Sequence, residues 1–473
     1  MMQTTTLSDT KRRLLDALMR GENSTAERRI QRRPASEPAR LALAQEEVWR
    51  RSIRAADAPP LYNETVTIHR QGPLDVQVLE RCFAEILRRH EAWRTTFPSE
   101  NGVPFQLVAP APADVKIPLI DLRQFPVEAR EQEAVRLFSD QAQQPFDLER
   151  GPLLRIMLLR IDDESDRIAI VAHQSIVDGV SVYQVLPTEL AALYDAFSAD
   201  RLSPLPDLPL QYGDFAQWHR RSLSGENLET QRAYWRKKLS PPLRLPAWPR
   251  DGSDTVRESY RASIVSFEVP DSLNGAIQEL ALRERVTLFT TLLAGFTLLL
   301  HHYTGQADIV VGTVSPSGRK RLETQQLLGY FLNPVALRFD FSDEPSFREL
   351  LVQTRLLIAE AISHDDVPLE HLARDLELNT GRDPAVKIAM SLQPRVPHLN
   401  GWNVTSMDAQ NGGSVWDFYL VFIESERGLI GRVQFNPDLF DEKAIDATLE
   451  DLWRLLGEAI ADPTKRPRHF LRS

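Results

Sequence analysis

Cysteine is almost missing from this chain: Cys82 is the single thiol in 473 residues. That excludes an internal disulfide and any metal site built on several thiolates. One unpaired thiol fits a reducing compartment, and the cytoplasm is the expected location. A long hydrophobic run is also missing. The longest apolar stretch, Val286 to Leu300, is interrupted by Thr287, Thr290, Thr291 and Thr297. A membrane span needs about 20 apolar residues, so this stretch reads as a buried helix and no membrane partner is expected. The N-terminus has no apolar core of the secretory kind.

Positive charge is in deficit. Lys and Arg number 56 against 66 Asp and Glu, for a net charge of −10. Such a chain is a poor match for a phosphate backbone. Its aromatic residues do not alternate with Lys or Arg as a base-stacking platform requires, so no nucleic-acid partner is expected. What is present is ordinary globular composition, 42% hydrophobic and 26% charged, at a length that suits two or three core-forming units.

Residues 1–35 stand apart, with eight basic against four acidic residues. Leu14, Leu15, Leu18 and Met19 share one face of a short helix that Gly21 ends, giving a basic leader helix or linker. A Pro-rich stretch, Ser203 to Leu210, and a Pro- and Gly-rich one, Ser240 to Asp254, mark connections. They divide the body into an N-terminal lobe of 36–205, a linker of 206–254 and a C-terminal lobe of 255–473. Ile168–Val171 and Ile309–Val311 read as buried strands, Val78–Arg89 and Phe289–Leu300 as helices. Both lobes are therefore expected to be α+β.

The most informative segment is Ile168 to Val182, IAIVAHQSIVDGVSV. A strand ends at His173, a loop follows, and Asp178-Gly179 turns the chain into a helix, with a kink or new first turn at Pro187. Read bare, a histidine at a strand end is a core residue more often than a catalyst. Neither His301-His302 nor the pair His364 and His371 has the arrangement of a metal site, and no metal is expected.

Several motifs occur in a telling order. They include Arg89-His90-Glu91-Ala92-Trp93-Arg94, Tyr212-Gly213-Asp214-Phe215, Asp308-Ile309-Val310-Val311-Gly312, Leu328-Gly329-Tyr330-Phe331-Leu332-Asn333 and Asn436-Pro437-Asp438-Leu439-Phe440. With the His173–Gly179 segment, they resemble the condensation-domain superfamily of nonribosomal peptide synthetases from about Leu41 to the C-terminus. The resemblance implies two chloramphenicol-acetyltransferase-like lobes arranged as a V around a central tunnel. It implies amide bond formation between acyl or aminoacyl thioesters. These would be held on the phosphopantetheine arms of donor and acceptor carrier proteins, with no cofactor bound directly.

The pattern breaks at the residue that matters most. Registered on Asp178-Gly179, the family's first histidine is His173, and the second, usually assigned to catalysis, falls on Gln174. A glutamine amide donates and accepts hydrogen bonds but takes no proton near neutrality. Positioning alone supplies much of the rate in such reactions, so loss of the imidazole predicts slow turnover rather than none. Three readings of Gln174 stand. The domain condenses by positioning; it has lost condensation and recruits a tailoring enzyme or carrier; or it is an ordinary condensation domain with one substitution. A coenzyme-A-dependent acyltransferase of the same fold is a further alternative. Ala42 and Glu47 also depart from the serine and arginine that the family favours.

The remaining site residues follow from the resemblance. Asp178 is expected to pair with an arginine and fix the loop, with Arg338 as first candidate and Arg94 as second. Asn333 lies toward the lobe interface or is a plain loop residue. Ser175 has no paired base in the sequence to make it a nucleophile.

Overall fold

The computed structural model describes residues 29–34, 37–240, 259–375, 386–405, 409–425 and 428–470. The leader helix expected around Leu14–Met19, and residues 241–254 of the expected second connection, lie outside them.

Two sheets form the body. The first has five strands in the spatial order Trp402–Thr405, Asn63–Gln71, Ser165–His173, Leu154–Arg160 and Leu119–Asp121. Its pairs are antiparallel except the last. The second has six strands, in the order Asn333–Asp340, Asp308–Ser315, Ile388–Gln393, Phe418–Ser425, Gly428–Phe435 and Ser263–Glu268. Four short strands around Val103–Val108 make a separate small sheet. The expected strands Ile168–Val171 and Ile309–Val311 fall inside observed ones. The fold is α+β, as expected.

Helices cover the sheets for reasons readable in the chain. The Val76–Arg89 helix opens with Asp75 accepting from the backbone N–H groups of Gln77 and Val78, which satisfies two of its free donors. Val78, Leu79, Cys82, Phe83 and Ile86 make its buried stripe. Burial pushes the Cys82 thiol up to about 12, so it stays protonated. The Leu288–Thr304 helix opens on the Thr287 hydroxyl and ends at Gly305, whose φ of +63° is the left-handed stop that glycine adopts freely. It is buried from Thr290 to Leu300, at the heart of the C-terminal core. No single helix among the described residues is long and apolar enough to cross a membrane.

Two features tie the lobes. Trp402–Thr405, from the C-terminal half, adds the edge strand to the N-terminal sheet, pairing antiparallel with Thr67–Arg70. Trp402 is buried there beneath Arg70 and edge-on to Tyr194. The stretch 206–240 is more than a connector. It carries the helices Tyr212–Ser222 and Gly225–Lys238. Tyr212 and Phe215 join Ala44 and Val48 from one lobe to Leu327, Tyr330 and Phe331 from the other in a third apolar cluster. By the area rule, burying a side chain such as Val48, Leu327 or Phe331 stabilises by about 1.5–3 kcal/mol.

Candidate functional site

The site is built where the Ser165–His173 strand runs out. The chain tightens into a single turn, Gln174–Ile176, then reaches Asp178 and a short wide helical turn, Ser181–Val185. A new helix starts at Leu186 with Pro187 in its first turn, where a missing N–H costs nothing.

His173 is buried and does not line the cavity between the lobes. It pairs with Asn63 across the sheet and sits edge-on between Tyr62 and Phe146. Its Nδ1 lies 2.7 Å from the Ser175 hydroxyl and accepts from the Ser175 backbone N–H. That leaves the proton on Nε2, 3.3 Å from the Ser52 oxygen, whose own hydroxyl donates to the Val48 carbonyl. Burial pushes its pKa down to about 3, so the ring is neutral. Both ring nitrogens are engaged. His173 and the buried Ser175 thus hold each other within the turn.

The Gln174 backbone N–H donates to the Tyr62 carbonyl at 2.7 Å, which continues the strand register by one pair. Its side chain makes no hydrogen bond among the described residues, and the residue lines the cavity between the lobes. The space there is about 1300 Å³, the open solvent at its mouth included. The N-terminal lobe contributes Tyr62, Glu64, Gln174 and Gly179; the C-terminal lobe contributes Tyr330, Gln393, Trp416, Tyr419 and Arg432. Gly179 lets the lobes approach, because a Cβ there would lie 2.6 Å from the Gln393 Oε1 atom and 3.4 Å from Pro394.

Asp178 is a structural clamp, with a partner other than those expected. Arg319 holds it, donating from Nη2 at 2.7 Å and from Nε at 3.1 Å. The backbone N–H groups of Ser181 and Phe331 and the Ser181 hydroxyl also donate to the same carboxylate. Arg319 spends its other nitrogen on the carbonyls of Thr324 and Leu327 and lies over the Phe331 ring. Arg338 points out of the sheet to Asp308 at 2.6 Å. Arg94 donates to the carbonyls of Leu87 and Ala109. Neither reaches Asp178, because each pairs locally on its own lobe. The missed signal lay in Pro316-Ser317-Gly318-Arg319, just past the apolar strand Asp308–Ser315.

Asn333 is buried and outside the cavity wall. It donates to the Asp365 carbonyl at 2.5 Å, while its neighbours Leu332 and Pro334 line the cavity. Two further features escaped the sequence. Glu47, at a position where the family favours arginine, takes Arg374 and Arg50 as partners, with His371 at 3.8 Å. Burial opposes its ionisation, but these cations prevail and hold its pKa at about 2. Glu64 lines the cavity, and burial raises its pKa against the charge of Arg432. Among the described residues, no cluster of three or more His, Cys, Asp or Glu side chains could hold a metal.

The model for the Condensation domain family matches residues 36–470. Chondramide synthase cmdD of Chondromyces crocatus is 35% identical over 456 residues, 95% of this chain, which spans only 12% of that relative's length. Among solved structures, the first condensation domain of the CDA synthetase aligns with a TM-score of 0.82 at 21% identity, covering 93% of this chain and 99% of that one. The X-domain in its complex with OxyB from teicoplanin biosynthesis aligns at 0.78 and 23%, covering 94% and 98%. With two lobes, a cavity between them and the His173–Gly179 segment at its wall, the chain belongs to the condensation domain family.

Proposed function

We propose that this domain joins two carrier-tethered substrates by amide bond formation. A donor acyl or aminoacyl thioester would arrive on one phosphopantetheine arm, and an acceptor amine on another. The amine nitrogen attacks the thioester carbonyl; the C–N bond forms, the C–S bond breaks, and the thiol leaves. The cytoplasm is the natural setting for such partners, in keeping with the single reduced Cys82. The observation that carries this reading is the placement of Gln174. Its side-chain amide makes no hydrogen bond among the described residues, and the residue lines a cavity walled by both lobes.

A primary amide can donate to a carbonyl oxygen and accept from an amine N–H. Gln174 thus has the groups to hold two reactants together, and alignment of bound reactants is worth about 7–11 kcal/mol of barrier. The test is single-turnover peptide formation between two loaded carriers, followed by intact-protein mass spectrometry. Gln174→Ala is expected to slow the reaction at least tenfold with carrier binding unchanged. A silent parent that Gln174→His accelerates by about 10²–10⁴ would instead describe a pocket that has lost its chemistry.

A second reading keeps one supporting observation. The X-domain that this chain resembles in fold was solved in complex with OxyB. Under that reading the domain recruits a tailoring enzyme, and carriers bind without turnover in the parent and in both variants. A coenzyme-A-dependent transfer would proceed from free acyl-coenzyme A with no carrier present.

A further inference from the structure

We propose that Glu64 receives the acceptor's ammonium group and takes its proton before attack. The inference rests on the condensation reading above, and it concerns the step that Gln174 cannot perform.

The geometry starts from the strand register. Glu64 pairs with Ala172, Asn63 with His173, and the Tyr62 carbonyl with the Gln174 N–H. Gln174 follows one residue after the last ladder pair, so Glu64 and Gln174 lie close together at the end of the sheet. Both Glu64 and Gln174 line the cavity between the lobes.

The other carboxylates in that wall are committed. Asp178 belongs to Arg319, Glu47 to Arg374 and Arg50, and Glu370 lies 3.8 Å from Arg51. Glu64 has no hydrogen bond or ion pair among the described residues. Its charge is felt by Tyr330 and Tyr419 and meets that of Arg432, all from the opposite lobe. Burial raises its pKa from 4.5, which makes it a stronger base than an exposed carboxylate.

The step balances. An ammonium R–NH3+ and the Glu64 carboxylate become R–NH2 and the carboxylic acid. The free amine attacks the thioester carbonyl, and its second proton leaves with the departing thiolate as a thiol. Glu64 then returns its proton to solvent.

Two measurements decide it. The first is calorimetric binding of aminoacyl-pantetheine amides, in which nitrogen replaces the thioester sulfur, against their N-acetyl forms. The parent is expected to prefer the free amine by about ten- to a hundredfold, the range of a charge-assisted hydrogen bond. Glu64→Gln should erase the preference, and Glu64→Asp should keep part of it. No preference in the parent, or one that Glu64→Gln leaves intact, overturns the proposal.

The second is the single-turnover rate between pH 6 and 7.5. With Glu64 present, the reacting species is the docked ammonium and the rate is flat. In Glu64→Gln only free amine reacts, so the rate rises about tenfold per unit toward the amine pKa near 8. The groups facing Glu64 are Arg432, Tyr330 and Tyr419, with Tyr62 just before its strand. Tyr330 and Tyr419 are raised by burial, the latter to about 12, so neither supplies that slope. Parallel profiles in parent and Glu64→Gln also overturn the proposal. If ammonium preference depends on Glu64 but the parent forms no peptide, condensation is the reading that fails and ammonium docking stands.

Discussion

Arg319 closes over Asp178 from a position 141 residues further along the chain, and the two side chains are 5% and 0% exposed. The pair is completed by backbone and hydroxyl donors, so it joins the turn after His173 to the other lobe without leaving a lone charge.

Removing one member of that pair exposes the full desolvation penalty of its partner. Arg319→Ala is expected to cost about 3–5 kcal/mol of stability, read from urea denaturation. Arg319→Lys keeps the charge but loses the planar fork, and should recover only part. Arg338→Ala should stay within about 1 kcal/mol, because its pair with Asp308 is partly exposed to solvent. Equal losses for Arg319→Ala and Arg338→Ala would contradict the assignment.

Stability should fall in mild acid, and two histidines set the window. Burial lowers His173 to about 3 and His219 to about 4, whereas an unfolded histidine titrates near 6.5. The unfolded state then binds more protons, so stability rises with pH through this range. It is complete above about 6.5 and declines on acidification by about 1.4 kcal/mol per unit for each ring. The loss should continue to about pH 4 for His219 and pH 3 for His173. Denaturation midpoints at pH 7, 6 and 5 should show it, and His173→Gln should lower the slope.

Glu47 and Arg374 make a charged latch between the Leu43–Arg54 and Leu369–Asp375 helices. Glu47→Arg would set a cation against Arg374, Arg50 and Arg51, so it should destabilise the fold by about 1–3 kcal/mol. Arg374→Glu added to it should restore part of the loss, read as a coupling energy in a double-mutant cycle. Because the Glu47 pKa is lowered to about 2, its contribution is present above about pH 4.5 and fades as pH falls toward 2. Thermal midpoints of the four proteins at neutral pH test the latch; strictly additive losses would argue against it.

What could be read in the chain was local. Asp178-Gly179 after an apolar strand announced a turn, and Pro187 announced a kink or a new first helical turn, of which the structure shows the second. Val286–Leu300 announced a buried helix. What could not be read was which residues meet across the lobes. The resemblance implied an arginine partner for Asp178 without saying which one, and Arg338, the first candidate, goes to Asp308 on the adjacent strand. Glu64 sits in NETVTIHRQ, where a polar residue normally marks the solvent face of a half-buried strand. Here the second lobe, with Arg432 and Tyr419, covers that face. Only the fold puts them there.

The Trp402–Thr405 strand has a consequence for anyone exchanging parts between relatives. A graft of residues 37–240 alone would bring a sheet whose Asn63–Gln71 strand ends in a bare edge, with free N–H and C=O groups available to another chain. The strand that covers this edge is encoded more than 300 positions downstream. Cutting between the lobes therefore divides the sequence without dividing the hydrogen-bonded unit. A chimaera keeps its first sheet intact only if its second half supplies a strand of matching register.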